Sequence, residues 1–211
     1  EGFLDSLIAD IASAQEPDGY LYTMRTINPD GSWAKERWVN SRYKGAHELY
    51  NIGHMYEAAV AYYEATGKRT LLDVALKNAN LMCETFGPDK QPMASGHQEI
   101  EIGLAKLYRV SGEEKYLELA KFFLDQRGKG EKSGNTYTQD HLPVIEQTEA
   151  VGHAVRATYM YSAMADIAAL TGDSAYIRAI DDIWEDVMTG KIYLTGGIGS
   201  RRSGEAYGDR Y

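Results

Sequence analysis

Residues 46–86 read AHELYNIGHMYEAAVAYYEATGKRTLLDVALKNANLMCETF. Apolar residues recur at three- and four-residue spacing, interrupted once at Thr66-Gly67-Lys68. The pattern predicts helices over 46–66 and 69–86, joined by a turn so short that they must run antiparallel. The same punctuation returns at Ser111-Gly112-Glu113 and at Thr171-Gly172-Asp173. Helices are therefore expected at 97–111 and 113–127, then at 145–171 and 173–189, with one more at 3–15. The fourth residue after each turn glycine is apolar or aromatic: Leu71, Tyr116 and Tyr176.

With three hairpins in place, the long connections (16–45, 87–96, 128–144 and 190–211) all fall at the opposite end of the helices. The turn glycines are 45 and 60 residues apart. An open solenoid holds a constant period, about 34 residues in the tetratricopeptide class. Constant pairs with variable loops instead predict an all-α, (α/α)6 toroid-type barrel, incomplete in this chain at about seven helices. An open solenoid is the alternative. The first helices of the pairs are rich in alanine (Ala58, Ala59, Ala61, Ala154, Ala157, Ala163), which suits a crowded inner ring or reflects helix propensity alone. Asp173-Ser174 and Ser95 are expected helix caps, and Gly128 and Gly190 follow two helix ends. Helix 3–15 has no partner before it, so the chain reads as a stretch of a longer protein.

The 211 residues suffice for one domain. A net charge of −9 argues against a nucleic-acid partner, which would want a basic stripe. Arg201-Arg202 reads as a solvated loop. No apolar run approaches the roughly 18–20 residues of a membrane helix, so no membrane partner is expected. The single cysteine, Cys83, excludes an internal disulfide and reads as a buried, unreactive residue beside Leu81, Met82 and Phe86.

Three histidines fall near the loop end. His47 begins the motif His47-Glu48-Leu49-Tyr50-Asn51, in which Asn51 stands where the zinc motif H-E-x-x-H needs its second histidine. His47 reads as a site residue, and His54 as packed between inner helices. His97 opens the next inner helix, where the dipole disfavours imidazolium. A neutral ring able to bind a hydroxyl fits there, as does a surface position. Glu99 and Glu101 are not expected to share a face. His153 lies four residues after Glu149, so the two are expected to touch, in a site or as a surface pair. His141 reads as solvated. Taken alone, Glu205 in Gly204-Glu205-Ala206-Tyr207 is a solvated carboxylate.

Lys191-Ile192-Tyr193-Leu194 has strand-like composition and runs into Thr195-Gly196-Gly197-Ile198-Gly199-Ser200. Arg202 stands where a dinucleotide fingerprint needs its third glycine, so a sharp backbone turn at a pocket rim is expected. Tyr20, Tyr22, Trp33, Trp38 and Tyr43 crowd the first loop, either as sugar platforms or packed on one another. Histidines, carboxylates, amides and aromatics together favour a polyhydroxylated ligand.

In chain order, the segments 47–54, 96–101, 149–156, 194–199 and 204–207 resemble the β-L-arabinofuranosidases of glycoside hydrolase family 127, along essentially the whole chain. The resemblance implies an (α/α)6 barrel followed by β-sandwich regions. It implies a retaining hydrolase whose nucleophile is a zinc-bound cysteine thiolate, the zinc held by one Glu and further cysteines. It makes Glu205 the general acid/base and His47, His97 and His153 the sugar-contacting residues. The expected reaction is release of terminal β-L-arabinofuranose from a glycan, with a carbohydrate as the partner.

The family's Glu-x-Cys motif lies downstream of the acid/base, and this chain stops at Tyr211. Cys83 matches none of the metal ligands. Residues 1–211 are thus expected to form part of one α/α-barrel catalytic domain, with the remaining helices and β-sandwich regions outside it. No cofactor and no metal are expected here, zinc is expected in the full-length enzyme, and this chain alone is expected to be inactive. The alternatives are another (α/α)6 carbohydrate enzyme, such as an unsaturated glucuronyl hydrolase or an epimerase, and a non-catalytic helical-repeat scaffold.

Overall fold

The computed structural model describes residues 2–31, 36–38, 47–129 and 134–211. Among these it is all-helical, without β-strands. Eight α-helices occur: α1 (Gly2–Ala14), α2 (Thr23–Ile27), α3 (Glu48–Thr66), α4 (Thr70–Thr85), α5 (Ile100–Ser111), α6 (Glu114–Asp125), α7 (Ala154–Thr171) and α8 (Ser174–Gly190). Short 3-10 turns lie at Val144–Glu146 and Ser203–Glu205.

The three hairpins form as the turns predict. Gly67, Gly112 and Gly172 end α3, α5 and α7 in the left-handed conformation, at φ 74°, 74° and 68°. Each donates its N–H back to a helix carbonyl, of Tyr63, Tyr108 and Ala168 respectively. Asp173 caps α8 by accepting from the Ala175 N–H. Helix α5 packs against both α3 and α7, while α4, α6 and α8 pack against their pair partners. This is an incomplete toroid-type arrangement of inner helices α3, α5 and α7 with an outer layer behind them.

Helices α3 and α5 approach closely because glycines face each other. A Cβ on Gly103 would lie 2.8 Å from the Gly53 carbonyl oxygen, and one on Gly53 would lie 2.8 Å from the Glu99 backbone. Buried tyrosines tie the outer layer in. Tyr116 and Tyr176, each four residues after a turn glycine, donate their hydroxyls to Asn80 and Asp125. On α1 only Ile8 is buried, and Phe3, Leu4 and Leu7 remain exposed.

Several boundaries differ from the sequence reading. The short α2 lies in a segment read as loop. Helix α5 starts at Ile100 rather than 97, and Ser95 spends its hydroxyl on Glu101 instead of capping. Helix α7 starts at Ala154 rather than 145, because Gly152 stands at φ 73° and residues 147–153 run non-helically. Gly190 lies inside α8 without a positive φ, packed against Arg210. Residues 193–197 form a turn closed by Tyr193 and Gly197, with Leu194 fully exposed, so the strand-like composition of 191–194 forms no strand. Tyr20 and Trp38 are buried edge to face at 4.9 Å, the self-packing alternative; Trp33 and Tyr43 lie outside the described residues. No described helix is long and apolar enough to cross a membrane.

Candidate active site

The starts of the inner helices converge. His47 immediately precedes α3, His97 lies three residues before α5, and His153 is the N-cap of α7. The His47 and His97 rings are 5.6 Å apart, and His97 and His153 are 6.2 Å apart. Tyr50, one turn along α3, fills the space beside them, 4.4 Å from His97. Tyr159 of α7 lies 6.0 Å from His97, and Tyr137 lies 5.3 Å from His153. The three histidines read from sequence therefore come together, within a wall of tyrosines that the sequence reading missed. Tyr50 was detectable: it shares a helical face with His47 and His54.

His97 is buried, and its Nδ1 lies 2.7 Å from the Gln98 carbonyl. A carbonyl can only accept, so Nδ1 carries the proton and Nε2 offers a lone pair. Burial, reinforced by the Arg156 charge, pushes its pKa down to about 3. The neutral ring expected from sequence is present, though burial, not the helix dipole, is the main cause.

Buried amides hold these loops in register. Gln98 donates to the Thr138 carbonyl and to the Gln139 side chain. Gln139 donates to the carbonyls of Val151 and His153, and Gln147 to those of Gln139 and Leu142. Arg127, fully buried, joins Ser95 to Asp140. Gln139 adopts φ 59°, strain that this network sustains. Arg127, Gln139 and Asp140 did not stand out in the sequence, because a buried polar network has no motif.

His153 uses both nitrogens. Its Nδ1 accepts from the Arg156 N–H, capping α7, and its Nε2 lies 3.1 Å from Glu205 Oε2. Glu205 itself is 78% exposed at its side chain. Its loop is nonetheless fixed, because Ala206 pairs with Arg201 and the Tyr207 N–H donates to the Gly152 carbonyl. Glu205 and Gly204 both take positive φ, 47° and 72°, so the loop doubles back over the start of α7. Glu149, expected to touch His153, instead binds the Lys191 ammonium at 2.8 Å, since no helix aligns 149 with 153.

Glu205 stands over an open cleft of about 880 Å³ along α7, lined also by Tyr159, Ile198, Gly199, Glu57 and Lys106. Gly199, at φ 76°, makes the rim turn that its glycine-rich segment predicted. Along this wall lies a second cluster. His54, expected to pack between helices, is 41% exposed at its side chain and faces Glu99 and Glu57. Glu99 and Glu101 are both fully buried, against expectation, because Glu99 precedes α5 and escapes helical spacing. Burial and the neighbouring Glu57 carboxyl push the Glu99 carboxyl well above the usual carboxylate range. Sequence reading found no close His/Glu constellation; this one forms because the Gly53–Gly103 contact brings the start of α5 onto α3. His141, expected to be solvated, is half-buried, which lowers its pKa. Arg201 and Arg202 are exposed, as read.

The whole chain, residues 1–211, matches the model of the β-L-arabinofuranosidase GH127 catalytic domain. It is 39% identical over 225 residues to a non-reducing end β-L-arabinofuranosidase of Bifidobacterium longum subsp. longum, covering 96% of this chain and 34% of that protein. The fold superposes on a GH127 β-arabinofuranosidase structure with a TM-score of 0.93 at 55% identity, over 100% of this chain and 34% of that one. A GH127 β-L-arabinofuranosidase from Geobacillus stearothermophilus T6 gives a TM-score of 0.92 at 44% identity, over 99% and 35%. The chain thus spans about a third of the length of these relatives. A family match that runs from residue 1 to residue 211, with solved structures superposing over 99–100% of the chain, leaves one conclusion: this chain belongs to the GH127 β-L-arabinofuranosidase family, as part of its catalytic domain.

Proposed function

We propose that the protein containing this chain is a retaining glycosidase that releases non-reducing terminal β-L-arabinofuranose from glycans. Glu205 is its general acid/base, and His47, His97 and His153 bind the sugar. One observation carries this reading: the exposed Glu205 carboxylate, held by His153 over an open cleft that Tyr159 also lines. A carboxyl group there can protonate a departing glycosidic oxygen and then, as carboxylate, take a proton from water. The neutral His97 offers Nε2 as an acceptor for a sugar hydroxyl, and the ring faces of Tyr50 and Tyr159 suit the C–H face of a furanose. Further residues of the parent protein would complete the toroid and add the β-sandwich regions.

The zinc-bound cysteine centre that the family resemblance implies does not fit the residues present. Cys83 is the single cysteine. It lies on α4, with its thiol 3.6 Å from the Lys115 carbonyl, and burial pushes it up to about 11. No step proposed here runs through that centre, and the nucleophile is assigned to none of these residues.

Replacing Glu205 by Gln in the parent enzyme tests the assignment. A substrate with a good leaving group needs little protonation, so its first step should suffer far less than that of a natural disaccharide. Azide needs no general base and should partly restore turnover of the activated substrate. Equal modest losses on both substrates, with no azide effect, would remove Glu205 from the acid/base role.

A further inference from the structure

We propose that His54, Glu57 and Glu99 bind a zinc ion on the wall of the cleft, apart from the His153–Glu205 pair. His54 Nδ1 lies 3.3 Å from Glu99 Oε1 and 3.7 Å from Glu57 Oε2. All three donor atoms lie within 4.8 Å of one another. Ligands bonded to tetrahedral zinc at about 2.0–2.1 Å stand about 3.3–3.4 Å apart. The two separations from His54 Nδ1 are thus already close to the edge length of such a tetrahedron.

The state of Glu99 points to a ligand. Its side chain is fully buried, and among the described residues its carboxyl oxygens find no hydrogen-bond donor outside the cluster; within it they meet only His54 Nδ1, at 3.3 Å, and the Glu57 carboxyl. A buried carboxyl left in that condition is costly. Oε1 lies on the His54 side, and a cation between the three side chains would satisfy it. One imidazole nitrogen with two carboxylate oxygens is a borderline donor set that suits zinc better than calcium or magnesium, which prefer all-oxygen shells. His54 is partly exposed and Glu57 lines the cleft, so an ion can enter and keep one position open to solvent or ligand.

Lys106 is the competitor. Its ammonium contacts Glu57 Oε1, leaving Oε2 on the His54 side. Two tyrosine rings pack edge to face with the His54 ring, Tyr50 at 4.5 Å and Tyr159 at 5.7 Å. A metal here would fix His54, and with it the tyrosine wall. The site goes beyond the proposed glycosidase reading, and its test reads metal rather than turnover.

Zinc chloride is titrated calorimetrically into the purified protein after chelator dialysis, and into His54→Gln, Glu99→Gln and Lys106→Met. Wild type should bind one zinc equivalent more than His54→Gln or Glu99→Gln. Lys106→Met should bind that equivalent about tenfold more tightly, because a competing charge is gone. Circular dichroism shows that each variant is folded; should Glu99→Gln fail to fold, His54→Gln, at a partly exposed position, carries the comparison. Anomalous diffraction at the zinc edge should place the ion within bonding distance of His54 Nδ1. Equal zinc stoichiometry in wild type and His54→Gln, with no anomalous peak at the cluster, overturns the proposal and leaves a proton shared between the carboxyls as the occupant.

Discussion

Nε2 of His153 lies 3.1 Å from Oε2 of Glu205, across 52 residues of chain, while Nδ1 of the same ring caps helix α7. One imidazole thus couples the first turn of an inner helix to an exposed carboxylate. Because Nδ1 accepts from a backbone N–H, the neutral ring carries its proton on Nε2 and donates it to Glu205. The carboxylate is held without being buried, which leaves its second oxygen open to the cleft.

Replacing His153 by Ala in the parent enzyme should therefore do two separable things. Loss of the cap should cost about 1 kcal/mol of stability, read as a lowered urea midpoint. Loss of the Glu205 contact should lower kcat/KM by roughly ten- to a hundredfold, less than the roughly hundred- to ten-thousandfold that a whole acid/base group supplies, because Glu205 itself remains. In a Glu205→Gln background the second loss should shrink strongly, since the partner is already altered. Fully additive losses in the double variant would mean that His153 acts on the sugar alone.

Lys191 organises the far side of the same loop. Its side chain is 1% exposed, and its ammonium meets Glu149 Oε1, Asp186 Oδ2 and the Ala150 carbonyl. Asp186 in turn accepts from the Ala150 N–H and keeps one further partner, Arg210. Lys191→Met should leave a buried carboxylate half-compensated and destabilise by about 2–4 kcal/mol. Equilibrium urea unfolding reads this directly, and a change below about 1 kcal/mol would show that Arg210 suffices.

The three hairpins were legible because a left-handed glycine between two amphipathic runs has one local meaning, and Gly67, Gly112 and Gly172 all carry it. Convergence of His47, His97 and His153 then followed from chain order. The Glu149–His153 pairing was not legible, since it assumed a helix through Gly152. Gly152 instead stands at φ 73°, packed so closely on the Thr136 carbonyl that a Cβ there would lie 1.9 Å from it, an approach across 16 residues that no local pattern announces. The His54–Glu57–Glu99 cluster was hidden for a related reason. Glu99 reaches it only because two glycines on different helices let their backbones meet. Motifs report what one segment does alone, and these features depend on two.

Cys83 offers a check on the outer layer. Burial raises its thiol pKa to about 11, and deprotonation makes the nucleophile. The thiolate fraction therefore grows with pH, about tenfold per unit below that value. At pH 8 alkylation by iodoacetamide should run about a hundredfold slower than for the urea-unfolded chain. The rate should keep climbing to pH 10, where a free thiol has already levelled off. A plateau near pH 9 would show that α4 leaves the thiol open to solvent.

The last prediction contrasts two glycines with nearly the same backbone. Gly172 has φ 68° and Gly152 has φ 73°. At Gly172 an added Cβ meets nothing within 4 Å, so Gly172→Ala should cost only the conformational strain, about 1 kcal/mol. At Gly152 the same Cβ would fall 1.9 Å from the Thr136 carbonyl oxygen and 2.9 Å from Gln139 Nε2. That overlap can be relieved only by moving backbone. The Gly152 carbonyl accepts from Tyr207, and the His153 N–H donates to the Tyr137 carbonyl, so any shift drags the Glu205 loop and His153 with it. Gly152→Ala should therefore cost several times more stability than Gly172→Ala. In the parent enzyme it should also lower kcat where the protein remains folded, while Gly172→Ala leaves kcat unchanged. Urea midpoints and kcat for the two variants decide the matter. Equal, small effects would mean that the 136–139 loop yields freely, and that the site's geometry is not set by this contact.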